Sequence, residues 1–105
     1  MAQSDIVTAT STLTAANQAT PAIQVEGDFL VLVKGSFSGV LALERRIVSS
    51  NDEADFLPVA ISTTGEAVEL SQRGAYAFHE PAVRGAEYRI VARTLTGAVE
   101  VSFDQ

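Results

Sequence analysis

The chain has 105 residues, 47% of them hydrophobic and 19% charged, with a net charge of −6, one histidine and neither cysteine nor tryptophan. This length fits one domain with a modest core, burying about 65% of the surface its unfolded chain would expose. An acidic balance without clustered Lys and Arg argues against direct nucleic-acid binding and anionic membranes, and the lack of Cys excludes disulfides and thiol chemistry.

The N-terminal "MAQSDIVTAT" has no basic segment followed by an apolar run, so no secretory signal is expected, and no apolar stretch approaches the ~18 residues of a membrane helix. A charged share below the usual ~25% suggests that part of the surface does not face water.

Helix signals are nearly absent, while short apolar or alternating runs recur between Gly, Pro, Asn and Asp. Residues 1–20 are rich in Ser, Thr and Ala, carry one charge at Asp5, and hold few apolar anchors: Ile6, Val7 and Leu13. They read as an extended N-terminal arm whose β-branched residues suit pairing with an open sheet edge, either on a neighbouring subunit or on the chain's own domain. Within the arm, 6–14 has weak strand character. Residues 21–105 read as the folded domain.

Further strands are expected at 22–26, 28–34, 39–48, 56–62, 67–70, 75–80, 87–94 and 98–103. "DFLVLVK" (28–34) is apolar on both faces and should be central. The strand at 56–62 contains Pro58 and belongs at an edge or bulge. Alternation places Phe29, Val31, Tyr88, Ile90, Ala92, Val99, Val101 and Phe103 inward. Glu26-Gly27-Asp28 and 94–97 look like hairpin turns, and the second should pair the last two strands. The fold expected is a single antiparallel β-sandwich or compact β-barrel of about seven to nine strands.

In "GVLALERR" both faces begin apolar, and Glu44, Arg45 and Arg46 then follow. Either the strand runs from core to rim there, or its charged end meets a partner subunit, with Arg45 or Arg46 bridging to an acid. Arg84, Arg89 and Arg93 lie close in sequence, with Glu80 and Glu87 interleaved. If Arg89 and Arg93 face outward around Val91, they form either a solvated sheet face or a protein interface.

No residue pattern points to catalysis. His79 in "AYAFHEP" has no nucleophile or orienting carboxylate at a recognisable spacing. One His and no Cys cannot close a zinc site. "NDEADF" (51–56) lacks the glycine and bidentate Glu of a calcium loop. Glycan binding calls for exposed flat aromatics, whereas Tyr76, Phe78, Tyr88 and Phe103 alternate as core residues do. No catalytic, metal or cofactor residue is therefore assigned.

"GSFSGVLALERR", "FLPV" (56–59) and "GAYAFHEPAVRGAEYRIVA" together resemble a pattern in small virion structural proteins of tailed bacteriophages, over about 27–103. Those proteins have a Gly-aromatic-x-Gly strand ending in a charged pair, an aromatic-x-x-Val strand, a Gly-x-aromatic strand running into Glu-Pro, and a Gly-x-x-Tyr-Arg strand. This chain departs where they often have a short Asp-Gly-Gly turn before a Trp: here the link is "IVSSNDEAD", and Phe56 stands in the Trp position. The resemblance implies a non-enzymatic β-sandwich or barrel in a phage particle, made in the host bacterial cytoplasm. Its role would be capsid decoration, with a head-tail connector or tail component as the alternative. Partners would be other virion proteins (major capsid or head-tail proteins) and further copies of itself. A carbohydrate-binding module for cell-surface attachment is the reading from another class.

Overall fold

The computed structural model describes residues 8–48, 52–60 and 67–105. They form nine strands: β1 (Thr8–Leu13), β2 (Ile23–Val25), β3 (Gly27–Lys34), β4 (Phe37–Ile47), β5 (Leu57–Pro58), β6 (Glu69–Leu70), β7 (Gly74–Glu80), β8 (Ala86–Gly97) and β9 (Val99–Asp104). One 3-10 turn, Glu53–Asp55, lies between β4 and β5. Two antiparallel sheets result. The first has the order β1-β9-β3-β7; the second has β2-β8-β4-β5, with β6 also on β4.

Alternation builds the core, because successive side chains of a strand point to opposite faces. Phe29, Val31 and Val33 of β3 and Val99, Val101 and Phe103 of β9 face inward from the first sheet. Leu41 and Leu43 of β4 and Ala86, Tyr88, Ile90 and Ala92 of β8 meet them from the second. The Phe29 ring lies 4.7 Å from Tyr88, 5.7 Å from Phe78 and 6.5 Å from Phe103 between centroids. Such pairs contribute about 0.5–1.5 kcal/mol each beyond area burial. The chain is thus all-β, two sheets sharing one core in a β-sandwich.

The expected hairpins at 26–28 and 94–97 are not there. β2 and β3 lie in different sheets, as do β8 and β9, and β9 pairs instead with β1 and β3. Each glycine lets the chain bend across the sandwich instead of reversing beside itself. At Gly97 φ is 93°, and a Cβ there would come within 2.7 Å of the Ser36 carbonyl oxygen. Only glycine meets both demands at low cost. The β4–β8 ladder spans Phe37↔Gly97 to Ile47↔Ala86 and shifts register between Val40 and Leu41. Gly39, at φ 150°, sits beside this bulge, where a side chain would overlap the Thr94 backbone.

Over 8–20 the segment expected as an arm lies on the chain's own sheets. β1 pairs along β9 from Thr8↔Asp104 to Leu13↔Val99, and Leu13 is buried in the core. The chain then turns, with Gln18 Oε1 accepting hydrogen bonds from the Thr14 and Ala15 amides. It continues along β8, where Asn17 donates to the Ala92 carbonyl and Thr20 to the Ile90 carbonyl. The segment therefore switches sheets at this corner. Ile6 and Val7 lie outside the described residues.

Candidate interaction surface

The charged end of β4 resolves by alternation. Arg45 has the inward parity of Leu41 and Leu43, whereas Glu44 and Arg46 face outward. Arg45 reaches the end of the sandwich and holds Glu80 of β7 with two parallel hydrogen bonds, Nε to Oε1 at 2.6 Å and Nη2 to Oε2 at 2.9 Å. The Tyr88 hydroxyl of β8 donates to Glu80 Oε1 at 2.6 Å, and the Ala82 amide donates to Oε2. This cluster ties β7 of one sheet to β4 and β8 of the other. Its hydrogen bonds, the Arg45 pair foremost, hold the Glu80 carboxyl down at about 2. Burial first, and then the bond to Glu80, push the Tyr88 hydroxyl well above its ordinary value. Arg45 is held still more firmly in its charged form by Glu80.

On the outer face of the second sheet, Arg46 pairs with Glu87 at 2.8 Å, Arg89 pairs with Glu44 at 2.8 Å, and Arg93 approaches Glu44 at 3.7 Å. Phe56 is buried between two guanidinium groups, with Arg46 4.3 Å and Arg89 4.1 Å from its ring centroid. Both cations lie within the ~6 Å range of cation–π attraction. Arg46 also donates to the Asp52 carbonyl, so the 3-10 turn is fastened to this face.

Of the residues expected at an interface, Arg45, Arg46, Arg89 and Arg93 therefore meet acids of their own chain. Leu13 is in the core. Arg84 is exposed in the turn between β7 and β8, where its carbonyl accepts from Gln24. His79 Nδ1 lies 2.7 Å from Asp28 Oδ1 at the surface. Among the described residues, no group of three His, Cys, Asp or Glu side chains could hold a metal ion.

Three large apolar residues are exposed at the end of the sandwich where Arg45 emerges: Ile47 (57%), Leu57 (64%) and Val83 (94%). Leu57 is the register partner of Arg45, and the two line one depression with Ile47, Ala54 and Asp55. A second depression joins Arg45 and Ile47 to Ala82, Arg84 and Gly85 in the turn that carries Val83. Arg45 and Arg84 thus edge an apolar patch, the composition of a protein-binding surface core. Arg45 and Arg84 stand out in the sequence as interface candidates, whereas the patch does not. Ile47 and Leu57 look like strand-core residues until their strands are seen to run past the end of the core.

No family model, curated protein or solved structure matches the chain.

Proposed function

We propose that this chain is a non-enzymatic structural protein of a tailed-bacteriophage particle, a capsid-associated decoration or stabilising subunit that acts through protein–protein contacts. The observation that supports this reading is the exposed apolar patch of Ile47, Leu57 and Val83 around Arg45 and Arg84. Solvated apolar surface at one end of a small acidic domain is suited to burial against another protein. The sequence resemblance supplies the particle as the setting. Glycan attachment fits less well: Phe29, Phe56, Tyr88 and Phe103 are buried, and Phe37, Tyr76 and Phe78 are half-buried, leaving no described aromatic ring laid open.

Quantitative mass spectrometry of purified particles tests the reading. Copies on the order of hundreds per particle indicate decoration, about six or twelve indicate a connector or tail ring, and absence from the particle overturns the proposal. Val83→Asp adds a charge at a side chain that the fold leaves open. Binding of this variant to particles lacking the protein should weaken at least tenfold, with an unchanged melting temperature. Unchanged binding would exclude the patch as the docking surface.

A further inference from the structure

β7 is an edge strand of unusual character. It pairs along its whole length with β3, from Gly27↔Glu80 to Val33↔Gly74, and its other side meets no strand among the described residues. Natural edge strands are commonly guarded by Lys, Pro, a bulge or shortness. β7 has seven residues, "GAYAFHE", with no Lys, no Pro and no register shift. Its inward residues Tyr76 and Phe78 pack on the core yet remain only half-buried, while Ala75 and Ala77 on its outer side are exposed.

We infer that a second copy of this chain adds antiparallel to β7 about a two-fold axis at Ala77, joining two four-stranded sheets into one of eight strands. Self-pairing at that register sets Ala77 against the partner's Ala77 and Phe78 against the partner's Tyr76, so the half-buried aromatics cover each other. Charge selects the occupant. A chain of net −6 repels its own copy, so a self-contact has to avoid acids, and 74–79 contains none. Glu80, at the end of β7, is neutralised by Arg45.

The same register brings opposite charges together. Arg73 is exposed just before β7, in one depression with Leu32, Lys34 and Ala75. Asp28, with 92% of its side chain exposed, lies beside His79 at the other end. A two-fold axis at Ala77 sets the partner's Arg73 opposite Pro81, at the end of the edge that carries His79 and Asp28, so the cationic end of one copy meets the acidic end of the other, twice. The inference goes beyond the virion reading and stands without it.

The full-length chain is examined by sedimentation velocity across a concentration series, with dimer expected. Ala77→Lys places two like charges face to face at an exposed position, and should give a monomer that still melts cooperatively, with a melting temperature that no longer depends on concentration. Arg73→Glu should weaken the dimer about tenfold, and adding Asp28→Arg should restore it. Because the chain has no cysteine, single replacements report register directly. Ala77→Cys should cross-link on mild oxidation, since paired Cα atoms lie about 4.5–5.5 Å apart, within disulfide reach. Ala75→Cys lies about four residues from its own copy and should not cross-link.

Monomer at every concentration, a dimer that survives Ala77→Lys, or cross-linking of Ala75→Cys as fast as Ala77→Cys overturns the inference. A monomeric chain that loses particle binding through Ala77→Lys would assign the edge to a different protein, and equally overturns the second copy as occupant. A dimer absent from particles would instead count against the virion reading alone.

Discussion

Glu80 has no exposed side-chain surface and accepts hydrogen bonds from Arg45, Tyr88 and the Ala82 amide. Removing one partner of such a pair leaves the other charge without its counterpart, which costs about 3 kcal/mol or more. Glu80→Gln should therefore lower stability at neutral pH by about that amount, read from denaturant or thermal melting. The pH dependence has a definite sign. The carboxyl titrates at about 2 in the folded chain, against an ordinary value of 4.5. Its stabilisation is complete above pH 4.5 and is lost as pH falls toward 2. Melting temperature should drop through this window in the wild type and drop less steeply in Glu80→Gln. Parallel curves would show that ionisation of Glu80 does not set the acid dependence. Little of this was legible in the sequence. The inward parity of Arg45 follows from Leu41 and Leu43, but Glu80 lies 35 positions away on a strand of the other sheet, and no residue pattern announces that pairing.

At the level of elements, periodicity revealed most of the strands. Residues 28–34, 39–48, 75–80, 87–94 and 98–103 overlap β3, β4, β7, β8 and β9, because half-buried strands alternate wherever one face is core. Ile90 and Val101 sit at the centre of that core. Truncating either to Ala should cost on the order of 2–4 kcal/mol, visible as a melting temperature lower by roughly ten degrees or more. The pairing of strands was not legible. A glycine that reverses the chain and one that carries it to the opposite sheet look alike in sequence, since both need only the same conformational freedom. Phe56 gives a sharper test of the outer face. Phe56→Leu keeps an apolar residue but removes the ring that both guanidinium groups face, and should cost about 1–2 kcal/mol. Phe56→Trp keeps the stronger cation–π partner and should melt no lower than wild type if the pocket admits its volume. Equal melting of the Leu variant and the wild type would show that the stack is only packing.

For the whole molecule, the structure changes what a deletion should do. Removing residues 2–14 would take away β1, one neighbour of β9, and Leu13 from the core. Circular dichroism should then show loss of the cooperative melt, whereas a mobile arm would leave it untouched. β9 lies between β1 and β3, yet follows both in sequence. During translation a nascent chain carrying β1 through β8 would hold β3 with one side unfilled and β1 with no partner in its sheet. The first sheet can close only once β9 has left the ribosome exit tunnel. Assembly of this sheet therefore waits on β9 and is dominated by distant contacts, which makes it slow for a domain this small. Until then the apolar flanks of β1 and β3 are open to neighbouring chains, so yield should depend on how quickly β9 arrives.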